Sequence, residues 1–136
     1  MRIIIVAVGR LRSPFTDDVE HYTKLLSRYA RLELIEVRED QQVGRRIPER
    51  AFVSLLDVEG ESLDSVAFSR FLEGRRASGR DMCFVIGGPF GALNLEHVDH
   101  RLSLGAITLP HQLARVVLLE QIYRGHKILA GEQYHY

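Results

Sequence analysis

Residues 3–8 read Ile-Ile-Ile-Val-Ala-Val and close on Gly9. Six consecutive apolar residues, most of them β-branched, leave no position to face water. The run therefore predicts a strand buried on both faces, the environment of a central strand in a parallel sheet. It is far too short to cross a bilayer and lacks a signal-peptide cleavage region, so a targeting segment is not expected.

The rest of the chain alternates around that strand. Phe15 to Ala30 carries Phe15, Val19, Tyr22, Leu25, Leu26 and Tyr29 at helical spacing, with Ser13 or Thr16-Asp17 as cap. Leu32 to Val37 alternates with Glu33 and Glu36, as a half-buried strand does. Arg38 to Arg50 is polar, contains Gly44 and Pro48, and predicts a loop. A strand over 51–58, a helix over 62–78 stopped by Gly79, and a strand over 82–86 follow. A short helix near 94–101, a strand over 104–109 and a final helix from Pro110 to about Ala130 complete the expected order. Alternating strands and helices predict an α/β domain with a mostly parallel sheet, whose ligands bind beyond the carboxyl ends of the strands. The loops after Leu56, Ile86 and Leu109 are the places to look.

The 136 residues, 46% of them hydrophobic, suit one domain over 1–136 with one core, and no repeat or low-complexity stretch divides them. Eighteen basic residues balance eighteen acidic ones. A generic nucleic-acid binder is disfavoured, since its affinity would come from phosphate neutralisation, but an enzyme with a local basic patch is not. Cys83 stands alone, which rules out an intrachain disulfide and fits a reducing, cytoplasmic compartment. His97 and His100 lack a third ligand at metal-binding spacing, so no metal is expected. Phe15, Tyr22 and Phe71 fall at core spacing and are read as packing residues.

Two segments carry chemistry. Gly87-Gly88-Pro89-Phe90-Gly91 follows a buried strand and matches neither a P-loop nor GxGxxG, yet its glycines let a ligand approach the backbone. Ser103 to His111 is apolar, contains Gly105 and ends in proline ahead of a helix; taken alone it is one more core strand. The last helix, with Leu113, Val116, Val117, Leu118, Leu119, Ile122 and Tyr123, is apolar over more than one stripe. It is either a helix buried inside the monomer or a subunit interface. Arg115, Glu120, Arg124 and His126 interrupt it, and the chain closes on Tyr134-His135-Tyr136.

Read in order, Val6-Ala-Val-Gly9, Ile86-Gly-Gly-Pro-Phe-Gly91, Ser103-Leu through Thr108-Leu-Pro-His111, Arg115, Glu120, Ile122-Tyr-Arg124 and Tyr134-His135 resemble the RlmH family. These are large-subunit ribosomal RNA methyltransferases of the knotted SPOUT class. The resemblance covers nearly the whole chain and is densest from residue 81 onward. It implies a C-terminal trefoil knot, which no sequence rule predicts. It also implies S-adenosyl-L-methionine as cofactor, a homodimer, and methylation of N3 of a pseudouridine in 23S rRNA within the assembled ribosome.

Carried over by position, the resemblance implies that Leu56, Gly87, Gly88 and the stretch Leu104, Gly105, Ala106, Ile107, Thr108 and Leu109 hold the cofactor. Glu120, Arg124 and His135 fall at the catalytic positions, and Arg115 and Tyr134 at the substrate-binding ones. The chain departs from the family in three places. Phe90 stands where an acidic residue is usual, the 38–50 loop is shorter than a family segment that normally includes a helix, and the tail Gly131–Tyr136 lacks the usual Asn, Pro and final basic residue. The altered tail keeps a second target such as tRNA in view. A non-catalytic cofactor- or ribosome-binding module is the other rival, and the presence of Glu120, Arg124 and His135 speaks against it.

Overall fold

A computed structural model describes residues 1–88 and 95–134. Its five strands are β1 (Arg2–Val8), β2 (Arg31–Val37), β3 (Phe52–Ser62), β4 (Met82–Ile86) and β5 (His100–Ser103). Three helices, α1 (Phe15–Leu26), α2 (Ser65–Ala77) and α3 (His111–Leu129), complete the framework. The strands form one sheet in the order β2-β1-β4-β3-β5, and every pairing is parallel. β1 is internal and buried on both faces, as the unbroken apolar run required.

The two faces of the sheet are closed differently. Ile3, Ile5, Ala7, Phe84 and Ile86 meet Val19 and Leu26 of α1, Phe68 and Leu72 of α2, and Leu118, Leu119 and Ile122 of α3. The opposite face presents Ile4, Val6, Val8, Cys83 and Val85, and no described helix longer than a single turn covers it. Val43, Ile47, Leu95 and Val98 close that face from connecting segments. Parallel sheets usually carry helices on both sides, because both faces are apolar. Here two short 3-10 turns, Asp40–Gln42 and Gly44–Arg46, do part of that work within the segment expected as plain loop.

α2 starts on Asp64, whose side chain accepts a hydrogen bond from the Ala67 backbone N–H, and ends at Gly79, which takes φ +77 as a helix-stopping glycine does. α1 starts at Pro14 with no side-chain cap hydrogen bond, so neither Ser13 nor Thr16-Asp17 supplies the expected capping contact.

Two expected elements are corrected. Among the described residues of 94–101 there is no helix: His100 and Arg101 belong to β5, which pairs with β3. The strand expected over 104–109 lies earlier, and 104–109 itself is irregular. The cause is β3, which runs to Ser62 rather than to 58 and offers β5 a second stretch of edge. Both Leu56 and Glu61 align with Leu102, so residues 57–60 leave the ladder as a bulge. Gly60 makes this possible, because a Cβ there would lie 2.6 Å from the Arg101 carbonyl carbon. Asp57 shapes the bulge by accepting from the Glu59 N–H at 2.9 Å.

Candidate functional site

The carboxyl ends of β3, β4 and β5 enclose a cavity of 760 Å³, a size suited to a nucleoside-sized ligand. Its walls hold Leu56, Ile86, Leu102, Leu104 and Leu109, and Gly87 and Gly88 bring bare backbone to its edge. Gly105, Ile107 and Thr108 also line it, whereas Ala106 is exposed and does not. Ile107 is 79% exposed despite its apolar side chain. Ser103 holds the entry to this segment, its hydroxyl donating to the Gly105 carbonyl and accepting from the Gly105 N–H. Gly105 takes φ +131, a conformation that L side chains rarely adopt. Having left the ladder, residues 106–109 make no backbone–backbone hydrogen bond among the described residues. Their polar groups remain to be satisfied by solvent or a ligand.

Sequence reasoning missed several residues of this cavity. Asp57 and Val58 reach it through the bulge, and Arg101, ion-paired with Asp57 at 3.0 Å, sits beside them. His111 lines it at the start of α3, with a buried Nδ1 that has no hydrogen-bond partner among the described residues. Burial, reinforced by the charges of Arg115 and Arg12, lowers the His111 pKa and keeps the ring neutral. Proline followed by histidine at a helix start was the only available signal, and it does not distinguish a lining residue from a surface one.

Arg115, expected at the substrate, is enclosed at 3% exposure. Its Nη1 donates to Glu36 at 2.5 Å and its Nη2 to the Gly9 carbonyl at 3.0 Å, which ties α3 to the ends of β1 and β2. A buried arginine with an ion pair and a backbone acceptor is a fixed part of the framework.

Glu120, Arg124 and Tyr134 do come together. Arg124 Nη2 lies 2.8 Å from Glu120, and its guanidinium sits 4.2 Å above the Tyr134 ring. Gln121 donates to the other Glu120 oxygen at 2.7 Å. Burial and the neighbouring Glu120 carboxylate raise the Tyr134 pKa and keep its hydroxyl protonated. His135 and Phe90 lie outside the described residues. Ala114 also lines the cavity, and Glu120 and Arg124 lie six and ten residues beyond it on α3, roughly 9–15 Å at 1.5 Å per residue. Among the described residues, Glu120, Arg124 and Tyr134 do not line the cavity.

A wholly parallel sheet with helices, a ligand-sized cavity at its carboxyl edge and a charged cluster on the last helix place the chain among the α/β proteins built to hold a ligand beyond the strand ends. The family model described as "Predicted SPOUT methyltransferase" matches residues 1–135. The chain belongs to this family, and it is a methyltransferase. It is 39% identical to the ribosomal RNA large subunit methyltransferase H of Clostridium kluyveri and to that of Acetivibrio thermocellus. It is 38% identical to the same protein of Carboxydothermus hydrogenoformans. Each comparison covers 99% of this chain and 99% of the relative. The 158 aligned positions exceed the 136 residues of this chain by 22.

Proposed function

We propose that this chain transfers the methyl group of S-adenosyl-L-methionine to N3 of a pseudouridine in 23S rRNA, acting in the cytoplasm on the assembled ribosome. The observation that carries the reading is the apolar cavity at the ends of β3, β4 and β5, in a chain whose relatives are named for large-subunit rRNA methylation. The residues fit the cofactor. Apolar walls suit an adenine, while the unspent backbone groups of 106–109 and the orphan His111 Nδ1 suit the polar parts of the molecule. When bound, the cofactor supplies an electrophilic methyl group on a sulfonium.

The chain's own task is to hold the acceptor in line and to manage one proton. N3 of the base carries a hydrogen that must leave as the nitrogen bonds to carbon, and anionic charge develops on the ring as it does. Arg124 is the group to stabilise that charge, held in orientation by Glu120 and by the Tyr134 ring. His135, next in sequence to Tyr134, is the group to accept the proton.

That Glu120, Arg124 and Tyr134 do not line the cavity supports a homodimer in which the cluster of one copy completes the cavity of the other. Leu119 is spent on the monomer core, so the face left for a partner is the half-exposed Val116 and Tyr123. In this reading the C-terminal third forms the trefoil knot. In its support, the chain leaves β5 at one edge of the sheet and returns to set His111 against Gly9, at the end of internal β1.

Mass spectrometry of rRNA from cells with and without the gene tests the substrate. The expected difference is one methylated pseudouridine, present only with the gene. An identical 23S rRNA in both strains would overturn the assignment, and a methyl group missing from tRNA instead would establish the rival target.

A further inference from the structure

A second groove, of 360 Å³, lies beyond the carboxyl end of β2 and is lined by Glu36, Val37, Arg38, Gln42, Arg45 and Arg46. The three arginines are exposed, and none of their guanidinium groups makes a hydrogen bond or ion pair among the described residues. The cations of α3 are engaged. Arg115 is taken by Glu36 and Gly9, Arg124 by Glu120 and Lys127 by Glu132. The groove's own acid, Glu36, is thereby paired with Arg115. Glu39 accepts from Gln41 and takes part in the capping box with Gln42. Asp40 remains the exposed counter-charge beside them.

The arginines stand on a stiff support. Gln42 accepts from the backbone N–H groups of Arg38 and Glu39 at 3.0 Å each, and Val43 is fully buried against the sheet. Arg45 and Arg46 are the last two residues of the second 3-10 turn. Cations presented this way lose little backbone freedom on meeting a ligand, and the planar guanidinium matches phosphate oxygens.

The groove also neighbours the cofactor cavity. In the strand order it lies at β2 while the cavity begins at β4, two strand spacings or about 10 Å away. Exposed Arg12, in the segment after β1, is close enough to act on His111 of the cavity lining. A Cβ on Gly88, at the cavity edge, would lie 3.7 Å from Asp40 of the groove's turn.

We propose that Arg38, Arg45 and Arg46 form a docking site for the phosphate backbone of the RNA substrate, next to the cavity that holds the methyl donor. The proposal rests on the RNA methyltransferase reading and adds to it the surface that grips the strand. In a chain of zero net charge, affinity for phosphate has to come from a local set of unengaged cations such as this one.

The test is fluorescence anisotropy of a 20-nucleotide RNA stem-loop with the full chain, between 50 and 200 mM salt. The triple variant Arg38→Gln, Arg45→Gln, Arg46→Gln is compared with Arg28→Gln, Arg31→Gln, Arg70→Gln, which removes the same charge from exposed positions elsewhere. The groove variant is expected to bind at least about tenfold more weakly at low salt, with the slope of log affinity against log salt smaller by about 2. S-adenosylhomocysteine affinity by calorimetry and the thermal midpoint should match wild type. Unchanged RNA affinity in the groove variant, or an equal loss in the control variant, overturns the proposal. If the groove variant loses RNA binding while no methyl group enters large-subunit rRNA in cells, the docking site stands and the substrate reading fails.

Discussion

In the proposed reaction Gly88 belongs to the cofactor side and Arg124 to the substrate side, and substitution separates them. A Cβ at Gly88 already lies 3.1 Å from Val8 Cγ1, tighter than ordinary contact, and valine adds two methyl groups beside the cavity. Gly88→Val is expected to weaken S-adenosylhomocysteine binding at least about tenfold, equivalent to about 1.4 kcal/mol. Calorimetry giving wild-type affinity would remove the turn from the site. Arg124→Ala acts on the substrate side. Cofactor affinity should stay within about twofold, while transfer to ribosomes falls by on the order of a hundredfold, as when a donor to developing charge is lost. Full transfer by this variant would discharge Arg124 from catalysis. The sequence marked Gly87-Gly88 as either a tight turn or a ligand contact, and the structure sets both at the cavity edge. His111 was not, since its buried, unpartnered nitrogen exists only once α3 has been placed against Gly9.

At the scale of elements, the bulge of β3 decides the shape of the cavity. A Cβ at Gly60 would lie 2.6 to 2.9 Å from Arg101 and Leu102 backbone atoms, and backbone yields less readily than a side-chain end. Gly60→Ala is expected to push β5 away and to destabilise the fold by about 1–3 kcal/mol, the usual cost of overpacking. Cofactor affinity should fall with it, because Asp57 and Val58 line the cavity from the same bulge. Urea unfolding with an unchanged midpoint would show that the strand accommodates the methyl group. β5 escaped sequence reasoning for a related reason. His100-Arg-Leu-Ser103 has the polarity of a surface helix, and it becomes a strand through its pairing with residues 41 to 46 positions away. Tertiary pairing outweighed local preference there.

For the whole molecule, buried imidazoles couple stability to pH. Burial lowers the His126 pKa despite its hydrogen bond to the Ile122 carbonyl, and His111 is lowered in the same direction. The unfolded chain takes up these protons near pH 6.5, while the folded chain resists until lower pH. Between those values the unfolded state binds more protons, so stability is expected to fall as pH drops from 7.5 to 5. His126→Gln should flatten part of that loss in urea midpoints measured across the range. A midpoint constant from pH 7.5 to 5 would contradict the neutral, buried imidazoles. The assembly is open to an equally direct measurement. Light scattering at micromolar concentration should return twice the 15.5 kDa chain mass, and a monomer would leave the cavity and the Glu120–Arg124 cluster apart.

The apolar run 3–8, the helical spacing of α1 and the glycine stop of α2 were decided by the sequence alone, because strand burial, helix periodicity and chain reversal depend on neighbours within a few residues. The family, too, was legible there, since its motifs keep their order along the chain. Only the tertiary structure decided which face of the sheet lacks long helices, where β5 pairs and which cations remain unengaged. Arg115 and Arg45 carry the same charge in the sequence. One is enclosed at the junction of α3 with the sheet and the other stands on an exposed turn, because burial and pairing come from residues far apart in the chain.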